Sequence, residues 1–350
     1  MDKKQGRSPI LHLLALIFVL WISADLSGTL SHAYAEENFK LQFPLACDHG
    51  RNCWIYNYMD VNTSLGLFED FTCAKRTYDG HEGIDIALKD LATASQGAWV
   101  VAAADGKIST VIDGIKDHKL DETTIDLAHQ FPCGNTVVID HKSGWQTTYC
   151  HLKLGSIVVR PGDKVKAGRA LAQVGLSGLT GWPHLGFTLK RDDITHDPFT
   201  GRTALEGCGF SQNNSLWDKP EEYNYQPFAI FNIGFSAEAP EKEALDQGFS
   251  ATKELSTETP ILTLWGYVLG TKPGDRVLME IEDPEGYKMI DVDNVVPNSR
   301  KRRLVTISRM RFNEVWKPGL YKGKITLIRK VGAEDKETAW GTGIYLVEPE

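Results

Sequence analysis

The stretch Asn135-Thr-Val-Val-Ile-Asp140-His-Lys-Ser-Gly144-Trp145-Gln-Thr-Thr-Tyr-Cys150-His151 reads as two strands folded back on each other. Residues 135–140 and 145–150 are rich in β-branched and aromatic side chains, which suit a pleated surface, and His141 to Gly144 supplies the turn between them. If Asp140 faces Trp145, Cys133 and Cys150 fall diagonally across the hairpin end, where a disulfide can join them. Similar short runs recur outward from this hairpin, at 85–88, 98–103, 107–113, 156–159, 170–174 and 184–190. Turn residues separate them: Asp105-Gly106, Pro161-Gly162-Asp163 and Ala167-Gly168. Helical periodicity is scarce. The reading is an antiparallel β domain with a polar insertion at 114–130, expected as a surface loop.

Residues 36–80 are loop-rich, and 191–230 form a connecting region. A second β pattern then begins near Ile233, with strands expected at 261–269, 276–282, 288–292, 303–310, 320–329 and 340–347. Pro-Gly and Asp-Pro turns at 272–275, 283–286 and 317–319 punctuate it. That spacing predicts a C-terminal β-sandwich, immunoglobulin-like in outline, over 231–350. Trp265, Trp316 and Trp340 are expected mainly in its core. The basic run Arg300-Lys-Arg-Arg303 reads as a solvated turn, although it could touch an anionic polymer.

The chain has 350 residues, room for two domains, and a formal charge of −8, which argues against a general nucleic-acid binder. Lys3, Lys4 and Arg7, an apolar run from Ile10 to Ile22, and Ala33-Tyr34-Ala35 read as a secretory signal peptide over 1–35. The apolar run is shorter than the roughly 20 residues a spanning helix needs, so no membrane span is expected after cleavage. The mature chain is expected to be periplasmic or secreted. Its six cysteines agree with an oxidising compartment. Cys47 and Cys53 are close enough to close a small loop, which would leave Cys73 and Cys208, but the sequence does not choose among the pairings. No CxxC pair supports a zinc site built from cysteine.

Four stretches carry the chemistry: Asp79-Gly-His81-Glu-Gly-Ile-Asp85; Tyr149-Cys-His151-Leu152; Val158-Val-Arg-Pro-Gly162-Asp163-Lys-Val165-Lys-Ala-Gly168; and Val174-Gly175-Leu-Ser177-Gly178-Leu-Thr180-Gly181-Trp-Pro183-His184-Leu-Gly186-Phe187. Zinc accepts both imidazole and carboxylate, so His81 with Asp85 is a candidate ligand pair. Alone, each histidine is more often a structural or surface residue. Side chains two apart on a strand share a face, so the partner of His184 in any site would stand at Gly186.

Together these stretches resemble the core of the M23 (lysostaphin/LytM-like) zinc metallopeptidases over about 79–190, in order, spacing and intervening turn. The peptidase-like domain is then expected over 36–230. The resemblance implies that His81 and Asp85 are zinc ligands and that His151 and His184 are catalytic. It also implies that peptidoglycan, through its stem or cross-bridge peptides, is the substrate. The family's third ligand falls at Gly186, which has no side chain. Three consequences compete: a pseudoenzyme that keeps the groove, recruitment of another donor from His49, His118, His129, His141 or His196, or weak zinc binding with slow hydrolysis. Whether the chain is an enzyme is therefore left open. The expected function is an M23-type homologue with impaired or absent catalysis, zinc weak or absent. The alternative is a non-catalytic wall-binding module, or a regulator of another cell-wall hydrolase. An exported adhesion or carbohydrate-binding protein led by the C-terminal sandwich is a third, architectural reading.

Overall fold

The structure, a computed structural model, describes residues 39–349 apart from positions 119, 250, 251, 313 and 332. The expected signal peptide at 1–35 lies outside the described residues. Residues 40–350 form one compact unit.

The first half contributes strands β1 (Cys53–Asn57), β2 (Ile84–Leu88), β3 (Trp99–Val101), β4 (Gly106–Ile112), β5 (Asn135–Asp140), β6 (Trp145–Leu152), β7 (Lys164–Val165), β8 (Ala170–Gln173), β9 (His184–Arg191) and β10 (Ile194–His196). Eight of these make one antiparallel sheet in the order β1-β2-β9-β6-β5-β4-β7, with β10 on β9, while β3 pairs with β8. The hairpin closes one residue away from the expected register: Asp140 lies opposite Gln146 rather than Trp145, because the His141 N–H donates to Trp145 O and closes the turn. A further shift between Asn135 and Val137 still leaves Cys133 and Cys150 within disulfide reach. The expected strand at 156–159 does not form; the Val158 N–H donates to Leu171 O of β8, but no ladder develops. Alternation puts Val137, Ile139, Tyr149, Leu185, Phe187 and Leu189 in the buried core. Two short helices escape sequence reading. Helix α1 (Leu91–Gln96) is capped by Asp90, whose carboxylate accepts from the Thr93 N–H, and α2 (Ile125–Gln130) lies in the insertion. The insertion is more than a surface loop. Asp117 accepts from the Leu154 and Leu176 N–H groups, and Ile115 pairs through both backbone groups with the Asn135 amide.

Three disulfides join Cys47–Cys53, Cys73–Cys208 and Cys133–Cys150.

The second half contributes β11 (Ala229–Ser236), helix α3 (Lys242–Asp246), β12 (Glu254–Ser256), β13 (Ile261–Thr271), β14 (Arg276–Glu282), β15 (Lys288–Val295), β16 (Arg300–Met310), β17 (Gly319–Val331) and β18 (Glu334–Val347). A three-stranded sheet, β11-β13-β16, faces a five-stranded sheet, β12-β18-β17-β14-β15. Phe235, Leu264, Val277, Ile281, Ile325 and Ile344 fill the space between them. The outer face of the three-stranded sheet is buried as well: Phe231, Trp265 and Tyr267 pack with Trp54 of β1. This explains why β11 and β13 are almost continuously apolar, for a sheet covered on both faces has no polar side to show. Trp265 and Trp316 are buried and Trp340 packs at the margin of both clusters. The Arg300 to Arg303 run does not form a solvated turn. It opens strand β16, because its backbone pairs with β13 up to Thr271 opposite Arg300.

Candidate functional site

Strands β2, β6 and β9 lie side by side, and their adjoining ends bring His81, Asp85, His151 and His184 together. His81, Asp85 and His151 are buried, and His184 keeps a 13% exposed side chain. His81 Nε2 lies 3.1 Å and His184 Nε2 3.4 Å from the same oxygen, Asp85 Oδ1. The His151 and His184 rings sit 4.5 Å apart between centroids.

Each imidazole is oriented by a backbone carbonyl at its other nitrogen: His81 Nδ1 to Tyr58 O at 2.9 Å, His151 Nδ1 to Ser177 O at 2.9 Å, His184 Nδ1 to Trp182 O at 2.8 Å. A carbonyl only accepts, so each Nδ1 carries the proton, and each Nε2 faces the centre. For His81 and His184 the Nε2 then meets a carboxylate oxygen, so a proton or a metal ion must lie between them. Orientation of this kind suits a metal ligand.

His151 sits in the left-handed region at φ 62°, which is uncommon for a residue with a side chain. Its N–H donates to Cys133 O and its carbonyl accepts from the Gly175 N–H, so the hairpin end and the glycine-rich turn together hold it there. The strand alternation is broken at this point. As a result, the Cys150 Cβ and the His151 ring edge both lie 3.2 Å from where a Cβ on Gly186 would stand.

The electrostatics follow from burial and neighbours. Burial would raise the Asp85 carboxyl, but the adjacent His81 and His184 outweigh it and hold Asp85 well below the usual carboxylate range. Burial would lower His184, yet the charge of Asp85 wins and raises it. His151 has no such partner. Burial, reinforced by His184, pushes it down to about 3, so it is a neutral imidazole with an available Nε2 lone pair.

Several contributors were not singled out from the sequence. Asn57, paired with Asp85 across β1 and β2, donates from Nδ2 to Asp85 Oδ2 at 2.6 Å. Tyr78 stacks on His81 at 4.3 Å. Ser177 links the Asn135 N–H to Leu152 O through its hydroxyl while its carbonyl holds His151. A polar residue ending the apolar run Trp54-Ile-Tyr was the only sequence signal for Asn57.

The alternative histidine donors are engaged elsewhere. His49 packs against Phe43 and Tyr223; His118 bonds to Lys116 O; His141 bonds to Asp105 O and Thr147; His196 bonds to Gly201 O; and His129 is exposed on α2. Among the described residues, no group of three or more His, Cys, Asp or Glu side chains is arranged to hold a metal ion. The donor set present therefore does not fit a three-ligand zinc centre, which needs three protein side chains and one open position.

Residues 79–198 match the model of peptidase family M23, and this stretch is an M23 family domain. The chain is 30% identical over 132 residues to the cell division protein DipM of Caulobacter vibrioides, covering 37% of this chain and 17% of that protein. It is 27% identical over 132 residues to an uncharacterized metalloprotease of Haemophilus influenzae, covering 37% of this chain and 23% of that one. The chain thus spans less than a quarter of the length of these curated relatives. A solved zinc-containing peptidase from Vibrio cholerae is 24% identical, with a TM-score of 0.27, over 42% of this chain and 39% of that one.

Proposed function

We propose that the M23 domain is a groove for the stem or cross-bridge peptides of bacterial peptidoglycan in which metal-dependent hydrolysis is impaired or absent. The supporting observation is Gly186. It stands directly opposite Asp85 in the β2–β9 ladder, and the resemblance assigns the family's third zinc ligand to this residue. His81 and Asp85 remain as metal ligands, and His151 and His184 retain the catalytic positions. Two donors hold zinc far more weakly than three, since losing even an outer partner costs about 10–100-fold in affinity.

The groove's own residues can still bind and orient a peptide. Neutral His151 offers Nε2 as an acceptor, and Tyr78 offers an apolar ring at the rim. Packing around Gly186 favours binding over residual hydrolysis, because the His151 ring edge and the Cys150 Cβ crowd the space a third ligand would enter. Such a module would hold wall peptides or position another cell-wall hydrolase. The three disulfides support a periplasmic or secreted setting. No helix among the described residues is long and apolar enough to cross a membrane.

The test compares the natural oxidised chain with Gly186→His, using Gly186→Ala as the packing control. Bound zinc is measured by elemental analysis after dialysis, and new amino groups are counted on purified sacculi. The expected result is sub-stoichiometric zinc and no cleavage by the natural chain, together with co-sedimentation on sacculi. Stoichiometric zinc and cleavage by the natural chain would overturn the proposal.

A further inference from the structure

Lys301 lies outside the M23 domain, near the start of β16, yet its ammonium reaches residues that touch the candidate centre. Its Nζ donates to Asn57 Oδ1 at 3.2 Å and lies 5.3 Å from the centre of the Tyr78 ring. Asn57 is the residue bonded to Asp85, and Tyr78 is the residue stacked on His81. Two separate contacts therefore place one cation beside the candidate centre.

The neighbouring residues fix its position. The Arg302 guanidinium lies 3.8 Å from the centre of the Trp182 ring and pairs with Asp246 at 3.1 Å. Trp182 in turn orients His184 through its carbonyl. Arg303 is held by Thr271 and Asn298. The two residues that follow Lys301 are thus tied to Trp182, Asp246, Thr271 and Asn298.

What Lys301 lacks is a carboxylate in direct contact, since Asp85 acts on it only from a distance. Among the described residues no carboxylate lies within ion-pair distance of it. Asp85 is not available, because Oδ1 is taken by His81 and His184 and Oδ2 by Asn57. The side chain remains solvent-exposed. In a chain with 46 acidic against 38 basic residues, an unpaired, positioned ammonium at a groove rim is a specific feature.

We propose that Lys301 is the anion-recognition residue of the groove and binds a free carboxylate of the peptide seated there. The C-terminal sandwich then contributes directly to ligand choice. This inference rests on the peptide-groove reading above. A charge-assisted hydrogen bond of this kind corresponds to a preference of about tenfold or more for a carboxylate over the matching carboxamide.

The experiment uses the full oxidised chain and two synthetic stem pentapeptides, one with free carboxylates and one with each carboxylate converted to the primary amide. Affinities are measured by calorimetry for the natural chain, Lys301→Met and Lys301→Arg, with near-ultraviolet circular dichroism confirming each fold. The natural chain and Lys301→Arg are expected to prefer the acid peptide by about tenfold; Lys301→Met should bind both peptides alike. Equal binding of the two peptides by the natural chain, or a preference surviving in Lys301→Met, overturns the inference while leaving the groove intact. Binding of neither peptide by the natural chain removes the groove reading and this inference with it. Should Lys301→Met fail to fold, the salt dependence of the natural chain decides: the acid peptide alone must weaken as salt rises.

Discussion

Asp85 and Gly186 are direct cross-strand partners, so the buried carboxylate shares its face of the sheet with a residue that has no side chain. The vacancy is small, because the His151 ring and the Cys133–Cys150 disulfide press on it from the β6 side. Any side chain introduced there must displace groups that are themselves tied down.

Gly186→Ala should therefore be destabilising. The added Cβ meets the Cys150 Cβ and His151 Cδ2 at 3.2 Å each, and His151 is anchored to Ser177 O. Overpacking of this kind costs about 1–3 kcal/mol, readable as a lower urea midpoint at unchanged slope. A midpoint at or above that of the natural chain would show that the ring yields freely.

Gly134→Ala should be more damaging. Gly134 has φ 64°, and a Cβ there would lie 2.4 Å from the Ser177 carbonyl carbon and oxygen. Backbone cannot give way as a side-chain tip can, so a loss of about 3 kcal/mol is expected. The Ser177 carbonyl also orients His151, so the His151 ring resonances in an NMR spectrum should shift with it. Unchanged resonances would contradict the coupling.

Arg329 and Asp275 form a buried ion pair at 2.6 Å, and the same guanidinium donates to Pro227 O and Gly270 O. Arg329→Met leaves Asp275 buried and uncompensated, which costs about 3–5 kcal/mol. The double variant Arg329→Met, Asp275→Leu should recover part of the loss. A double variant no better than the single one would place the cost in the lost carbonyl contacts instead.

Asp197 sets a pH dependence. Burial pushes its carboxyl up to about 7, against hydrogen bonds from Thr200 and the Phe199 N–H, with Asp70 nearby adding to the rise. The unfolded value is near 3.9. Between these the folded chain keeps a proton that the unfolded chain has lost, so this contribution is full below about pH 4, declines as pH rises, and is gone above about pH 7. Asp197→Asn should flatten that decline in urea unfolding measured from pH 4.5 to 7.5. Parallel pH profiles for the two proteins would rule the assignment out.

The candidate centre was legible to the extent that its chemistry is local. His81 and Asp85 are four residues apart, and His151 and His184 each sit at a strand end that turn residues announce. The β architecture was legible for the same reason, since β-branched runs and Pro-Gly turns are short-range signals. What escaped notice depends on distant packing. Asn57 and Tyr78 acquire meaning only once β1 and the following loop lie against β2. The left-handed backbone at His151 has no sequence mark, because glycine is the usual sign of that conformation. The basic run resembled a turn because four adjacent cations rarely suit a strand. Its cations are accommodated by the Trp182 ring, Asp246 and the groove rim, which only the assembled sheets supply. The segment 156–159 carries strand-like residues, but it meets β8 only through the Val158 N–H to Leu171 O bond and the Ser156 hydroxyl, too few contacts for a ladder.

The three-stranded sheet has a consequence for how this gene product can be divided. A fragment ending before Ala229 would leave Trp54, now almost wholly covered, open to water where Phe231 and Tyr267 had shielded it. Such a fragment invites self-association through that bare patch. Shuffling the enzyme-like portion into a new protein, in nature or in the laboratory, would need a substitute lid for β1, so the two halves are expected to travel through evolution together.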